Sequence, residues 1–209
     1  MKRILFQIFV TSLVMMSACN VNEVESSSES DSESFTESET SYEYNKFIHL
    51  KGTEFSVATI ESYTNRSSFS SSSERYVKSI LLFINTMTGN NKLIEFAEET
   101  QLGIIQQIKF DDLGINLLLV VVNNVSLGNK KDSDWRDSKQ IFVFSPSGDN
   151  MKQLTEDNFY VYSFSINEYT GTLIVSGYFD KNRNLKRDKE EKNEILLFDL
   201  KTRTLKKTL

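Results

Sequence analysis

The fold of this chain is decided by residues 110–122, FDDLGINLLLVVV, which line up without gaps on residues 166–178, INEYTGTLIVSGY. Each copy has an extended apolar run on either side of a polar turn. Runs of β-branched and aliphatic residues bounded by Gly, Asn and Asp predict strands joined by a tight connection. The repetition predicts a duplicated all-β unit.

Each copy is followed by a long polar loop and a second hairpin pattern. Residues 140–144 (QIFVF) precede 151–154 (MKQL) in one copy, and 194–198 (EILLF) precede 204–207 (TLKK) in the other. A fainter earlier copy has 55–60 (FSVATI), a Ser-rich loop, and 79–83 (SILLF) turning at 89–91 into 92–96 (KLIEF). The pattern predicts three units, at about 46–100, 101–156 and 157–209, with four strands each.

Units of this length with four strands are typical of β-propeller blades. Residues 141–155, IFVFSPSGDNMKQLT, resemble the TolB-type, WD-like propeller repeat, in which a strand turns and returns with a Lys-x-Leu-Thr strand. Residues 196–209 resemble the same repeat. The resemblance implies an all-β, propeller-like architecture of three four-stranded antiparallel units, and the alternative is a packed β-sandwich.

Three blades are fewer than the four to eight of closed propellers. A terminal blade without a neighbour exposes an apolar face and unpaired strand edges. We expect one of three solutions: an extra edge strand from residues 44–54, an open arc with protected edges, or copies assembled into a closed ring.

The N-terminus predicts export. Lys2 and Arg3 precede an apolar run at 4–16, which is short for a span of about 30 Å of hydrocarbon. The run ends in Met16-Ser17-Ala18-Cys19, which resembles a bacterial lipobox. The resemblance implies a signal peptide at 1–18 and a lipid, such as palmitate, on Cys19. An ordinary secretory peptide with an incidental cysteine is the alternative.

Residues 19–45 are rich in Ser and Glu and nearly devoid of apolar side chains, which predicts a disordered acidic tether. Cys19 is the single cysteine, so no disulfide can form within the chain. The formal charge of −5 indicates no nucleic-acid partner. The membrane, through lipid on Cys19, is the first expected partner, and the expected location is the bacterial cell envelope outside the cytoplasm.

One loop predicts a metal site. Its oxygen-bearing residues follow the spacing of an EF-hand loop at positions one, three, five, seven (through the backbone carbonyl), nine and twelve, and they are Asp180, Asn182, Asn184, Lys186, Asp188 and Glu191. Calcium needs six to eight converging oxygens, which such alternation supplies. Two features differ from an EF-hand: Leu185 replaces the usual glycine, and the flanking segments have strand-like and not helical patterns. Five basic residues in the loop would also lower its affinity for a cation. A solvated turn is the alternative.

Partner and catalytic signals are sparse. Trp135 lies in a polar loop, where an indole can anchor a partner or fold back over the sheet. His49 is the single histidine, and no nucleophile motif or phosphate-binding glycine loop occurs. We therefore expect no enzyme, but a tethered binding or scaffold module for a protein, peptide or glycan. The alternatives are an extracytoplasmic enzyme without a linear motif and a purely structural envelope protein.

Overall fold

The computed structural model describes residues 40–66, 74–98, 100–124, 138–184 and 187–209. All of them belong to the second of two compact units, residues 36–209, into which the chain divides. Within these ranges the chain forms twelve β-strands and one short 3-10 turn at Asp111–Leu113. No helix there is long and apolar enough to cross a membrane. The expected all-β class is confirmed.

The strands form three sheets that we call blades. Blade 1 contains β1 (Thr40–His49), β2 (Phe55–Arg66), β3 (Glu74–Asn85) and β4 (Asn91–Glu98). Blade 2 contains β5 (Thr100–Phe110), β6 (Ile115–Asn124), β7 (Ser138–Phe144) and β8 (Lys152–Gln153). Blade 3 contains β9 (Phe159–Asn167), β10 (Thr172–Phe179), β11 (Asn193–Asp199) and β12 (Thr204–Thr208).

Every blade is an antiparallel meander in which consecutive strands pair. This order is the strand order of a propeller blade. The prediction of three four-stranded antiparallel units in a propeller-like fold is confirmed. The alternative of a two-sheet sandwich is not what the chain adopts.

Blade 2 lies between the other two because its second strand is buried on both faces. Leu117, Leu119 and Val121 pack into a cluster with Leu173 and Val175 of blade 3. The alternate side chains, Leu118, Val120 and Val122, pack against Val57, Leu81 and Phe83 of blade 1. Side chains alternate across a strand, so a strand with two covered faces must be apolar at every position. The unbroken run LLLVVV is the sequence of such a strand.

The gapless alignment of the two repeats is wrong by one residue. Phe110 opposes Ile115 across one turn, and Asn167 opposes Thr172 across the other. Each four-residue turn ends in a left-handed glycine, Gly114 or Gly171, both at φ 63. Structural equivalence therefore pairs Phe110 with Asn167, not Ile166. A shift of one residue exchanges the two faces of a strand. The position of the turn therefore sets which residues of each strand face the neighbouring blade.

The β7–β8 turn of blade 2 contacts both neighbouring blades. Gly148 has φ +79, and a Cβ there would lie 2.6 Å from the Phe83 ring of blade 1. The Lys92 ammonium lies 2.6 Å from the Asp149 carboxylate. From blade 3, the Arg203 guanidinium donates to the Asn150 carbonyl at 2.8 Å. Gly148 thus allows a close approach between blades 1 and 2.

The N-terminal strand is longer than the sequence indicated. An edge strand within residues 44–54 was one expected solution, and β1 provides it by pairing with β2 from Thr40 to His49. Residues 40–45, which we assigned to the acidic tether, belong to this strand. Tyr42 and Tyr44 have high strand propensity, and the long β2 offers them an unpaired edge. Residues 1–39 lie outside the described ranges.

Both faces of β6 should contribute to stability. We expect Leu118→Ala and Leu119→Ala each to lower the free energy of unfolding by about 2–5 kcal/mol, because each removes a buried side chain from a different cluster. Leu205→Ala, at a half-exposed position, should cost less than about 1 kcal/mol. Urea unfolding of the three variants measures this. A near-zero effect at either β6 position would contradict the packing of blade 2 between two neighbours.

Candidate functional site

The loop that joins β10 to β11 is anchored by two buried carboxylates. Asp180 follows β10 directly and is 1% exposed, and Glu191 precedes β11 and is 5% exposed. The Asp180 backbone N–H donates to the Asn158 carbonyl at 2.9 Å, which ties the loop to the link between blades 2 and 3. Strands flank this loop on both sides, as the sequence indicated.

The amide side chains of the loop converge on one carboxylate. Asn182 Nδ2 and Asn184 Nδ2 donate to Asp188 Oδ2 at 2.6 and 2.9 Å. The Asn184 backbone N–H donates to Asp180 Oδ1 at 3.2 Å and to Asn182 Oδ1 at 3.1 Å. Four of the six predicted ligand residues are therefore brought into mutual contact.

Glu191 closes the loop from its far end. Its carboxylate accepts hydrogen bonds from the backbone N–H groups of Lys181 at 3.1 Å and Asp188 at 2.9 Å. The fifth predicted side chain thus bridges the second and ninth positions of the pattern. Lys186, the predicted source of a backbone carbonyl, and Leu185 lie outside the described residues.

The donor types of this loop suit calcium, since carboxylate and amide oxygens are the ligands a hard cation takes. Nowhere in the described part of the chain, however, do three or more His, Cys, Asp or Glu side chains form a group that could hold a metal ion. Here the two asparagines present NH₂ groups to Asp188, so their oxygens point elsewhere. Assignment of amide O and N follows the hydrogen-bond network, and a half-turn of each amide would exchange them.

A tyrosine cluster supports the loop, and no pattern in the sequence predicted it. The rings of Tyr160 and Tyr178 stack with centroids 5.0 Å apart, and Tyr162 lies 5.5 Å from Tyr178. The Arg187 guanidinium lies 5.7 Å from the Tyr178 centroid and 5.9 Å from that of Tyr162. A cation over aromatic faces stabilises this arrangement. The sequence feature that belongs to this cluster is the pattern Tyr160-x-Tyr162 in β9, which strand pairing places opposite Tyr178 in β10.

The electrostatics of the cluster are set by burial and by the two carboxylates. Burial raises the pKa of Tyr160, and the charges of Asp180 and Glu191 raise it further. Burial, followed by the neighbouring Tyr160, raises the pKa of Tyr178 to about 12. Both phenols therefore stay protonated at neutral pH and can donate hydrogen bonds.

A cavity of about 690 Å³ opens beside the loop. Its walls come from the link 153–158, from Tyr160 on β9, and from Asp180 and Arg183 of the β10–β11 loop. Within the described residues, the buried Tyr160 hydroxyl has no hydrogen-bond partner. A buried hydroxyl without a partner costs about 1–3 kcal/mol. Since Tyr160 also lines the cavity, a small movement of its side chain would let a bound group accept from this hydroxyl.

The cavity walls are held by short hydrogen bonds. Gln153 Nε2 donates to Asp157 Oδ1 at 2.7 Å, and the Ile141 backbone N–H donates to Thr155 Oγ1 at 3.0 Å. Arg183 adopts a left-handed conformation with φ 56. The link is therefore pre-formed, while the loop supplies the charged side of the opening.

The other predicted site residues, Cys19 and Trp135, lie outside the described residues. His49 ends β1 and is exposed, with Nδ1 at 3.4 Å from Ser56 Oγ. The expected lipid anchor and the indole anchor stay predictions.

Comparisons with known proteins give structural similarities at low identity. No protein-family model matches the chain, and no curated protein matches it significantly. The β-propeller domain of the Trilobed protease from Pyrococcus furiosus is similar over 80% of this chain and 42% of its own, with 12% identity and a TM-score of 0.37.

A mutant of the apocarotenoid oxygenase from Synechocystis is similar over 73% of this chain and 35% of its own, with 12% identity and a TM-score of 0.32. The cobalt-substituted form of that oxygenase is similar over 80% of this chain and 37% of its own, with 13% identity and a TM-score of 0.31. The chain thus spans less than half the length of each of these structures.

Proposed function

We propose that this chain is a binding module held outside the cytoplasm by lipid on Cys19, and that its role is recognition and not catalysis. The observation that carries the proposal is the cavity between the 153–158 link and the β10–β11 loop, lined by Tyr160, whose buried hydroxyl has no hydrogen-bond partner among the described residues. Its volume of about 690 Å³ lies in the range of ligand pockets, about 300–1,000 Å³.

The chemistry of the walls indicates what the partner offers. Tyr160 is a neutral donor that lacks an acceptor among the described residues, Arg183 is a cation at the loop, and Leu154 is apolar. A carbonyl or hydroxyl group of a peptide or glycan would accept from Tyr160, while an apolar portion covers Leu154. We propose a peptide, protein or glycan of the envelope or its surroundings as the partner.

Calcium is the proposed cofactor of the loop that forms one side of the cavity. Asp180, Asn182, Asn184, Asp188 and Glu191 would hold the ion with the backbone carbonyl of Lys186. The support is the set of oxygen donors, the burial of Asp180 and Glu191, and the closeness of Asn182 and Asn184 to Asp188. Both amides would make a half-turn to direct their oxygens to the ion. A bound cation would neutralise the carboxylates and restrain the loop that presents Arg183. The five basic residues of the loop would weaken the affinity.

Tethering is proposed on the resemblance of residues 16–19 to a lipobox. The anchor would keep the domain at the membrane, and the Ser/Glu-rich segment would space it from lipid head groups. A chain of about 20 flexible residues has a reach on the order of 25 Å. The partner would then be met at the envelope surface.

Binding at the cavity is tested by photo-crosslinking in intact envelopes. A photoreactive residue in place of Arg183 in the full chain should capture a partner, and Tyr160→Phe should reduce the adduct about fivefold, because it removes one hydrogen bond. The control position is Tyr169, which is 91% exposed on the turn at the other end of β10. Equal adducts at both positions, or no response to Tyr160→Phe, would contradict recognition in this cavity.

The calcium proposal is tested by thermal unfolding in calcium and in chelator. We expect calcium to raise the melting temperature by about 5 °C or more at saturating concentration. Glu191→Gln should abolish the difference between the two conditions, and Asp112→Asn, at an exposed turn of blade 2, should keep it. Identical melting temperatures for the unaltered chain in both conditions would remove calcium from the proposal.

The anchor is tested by metabolic labelling with a fatty-acid probe. The full chain should be labelled and should sediment with membranes, and Cys19→Ser should lose both properties because no other thiol is present. Asn20→Ser leaves the thiol and should be labelled. Label that persists in Cys19→Ser would exclude this anchor.

A further inference from the structure

The first strand of every blade carries one extra residue. The pairing of β1 with β2 skips Asn45, and the pairing of β9 with β10 skips Tyr162. In β5 the pairing with β6 is interrupted at Gly103 and Ile104. A β-bulge of this kind bends the strand and redirects its side chains, and bulges are over-represented next to functional sites. The same irregularity in three equivalent strands therefore marks a shared feature of the fold.

The three bulges border two cavities, which share Gly103. One cavity, of about 430 Å³, lies between blades 1 and 2 and is lined by Asn45 and Gly103. The other, of about 350 Å³, lies between blades 2 and 3 and is lined by Gly103, Ile104 and Tyr162. We call the two cavities together the bulge groove. Among the described residues, none that lines this groove also lines the cavity beside the β10–β11 loop.

Gly103 leaves space at the centre of the bulge groove. Its φ is not positive, so a left-handed backbone is not what requires glycine here. A Cβ at this position would lie 3.3 Å from the Val121 carbonyl oxygen. It would also lie 3.6 Å from Asn123 Nδ2 and 3.7 Å from Asn123 Oδ1. A side chain at position 103 would therefore fill the space beside the Asn123 amide.

The Asn123 amide is the polar group next to this space. Its Oδ1 is buried and has no hydrogen-bond partner among the described residues. Buried amide oxygens are nearly always paired, because an unmade hydrogen bond is costly. A small rotation of the side chain would bring the amide to the groove. There it could accept from a peptide N–H and donate to a peptide carbonyl, since an asparagine amide carries an acceptor and two donors side by side.

Lys139 adds a positive charge next to the amide. It lies opposite Asn123 across the β6–β7 pair and lines the same cavity. Lys139 is half-buried, and no carboxylate in the described part of the chain forms a salt bridge with it. The cavity wall beside it is apolar and includes Phe164 and Ile104, which is 51% exposed. A half-buried cation beside apolar surface favours a ligand in which a carboxylate adjoins an apolar group.

The second cavity of the groove carries one charge of each sign, Lys46 and Glu61. The Glu61 carboxylate accepts from the Tyr63 hydroxyl at 2.5 Å. Since the two charges there offset each other, the carboxylate of a ligand belongs at the Lys139 end of the groove.

We propose that the bulge groove binds an extended peptide that carries a carboxylate next to an apolar side chain. The peptide backbone pairs with the Asn123 amide, the carboxylate pairs with Lys139, and the apolar side chain packs on Ile104. The peptide crosses β5 at Gly103 and continues into the cavity between blades 1 and 2. Its carboxylate is either the C-terminus or an Asp or Glu side chain. The site is separate from the cavity beside the β10–β11 loop, so the proposal does not depend on binding there.

Two libraries of random octapeptides test this proposal with the full chain in mild detergent. One library ends in a free carboxylate and the other in an amide. The chain should enrich peptides in which a carboxylate adjoins an apolar residue. Enrichment in the first library alone assigns the carboxylate to the C-terminus, and enrichment in both assigns it to a side chain. Enrichment of peptides without this feature, or of no peptide, would overturn the proposal.

Charge reversal in the groove tests where a selected peptide binds. Lys139→Glu should weaken its binding by about tenfold or more, because it replaces an attraction with a repulsion, and should shift selection toward basic peptides. Lys207→Glu, at an exposed position on β12, is the matched control and should change neither property. Circular dichroism checks the folding of both variants. Binding that is equal in the two variants would overturn the assignment to this groove.

Two further variants separate a binding role of the amide from a structural one. Asn123→Leu should weaken peptide binding by about tenfold and leave the urea midpoint unchanged or higher, because the amide oxygen has no partner to lose. Gly103→Ala should weaken binding by about fivefold or more, because its methyl group fills the space beside the amide. A lower urea midpoint for Asn123→Leu would show that the amide is structural, and unchanged binding in both variants would place the peptide elsewhere. Either result would overturn the proposal.

Discussion

The structure depends on burial of both faces of one strand, β6. Six consecutive aliphatic side chains, Leu117 to Val122, alternate between two clusters, one shared with blade 3 and the other with blade 1. Because each face must be kept from water, the neighbouring sheets have to lie on opposite sides of blade 2. Stacking of blades, and not the curling of one sheet, is therefore the way in which this chain makes a core without disulfides.

This stacking positions the proposed site. Links between consecutive blades lie at the ends of the strands, and the link 153–158 meets the β10–β11 loop through the hydrogen bond between Asp180 and Asn158. The tyrosine stack of blade 3 then fills the space under the loop. A cavity between a rigid link and a charged loop is a consequence of two neighbouring blades, and either blade alone would lack one wall.

Local patterns in the sequence predicted the repeat, the strand–turn–strand units and a polar loop after β10, because these features depend on neighbours within a few residues. They did not predict the correct alignment of the two repeats. Gly114 and Gly171 end equivalent turns, and matching these glycines moves the alignment by one residue. They did not predict the tyrosine cluster either, because Tyr160 and Tyr178 come together through the pairing of β9 with β10. The sequence did not predict that β1 starts at Thr40, because residues 40–45 form a strand by pairing with β2.

The sequence by itself determined that this chain is built of strands in three similar units and that an oxygen-rich loop follows β10. Alternation and turn chemistry encode these features locally. Only the tertiary structure decided which residues of each blade face the neighbouring blade and where Asn182 and Asn184 direct their amides. Those outcomes depend on contacts between residues that are distant in the sequence. Local sequence patterns do not determine the register of such contacts.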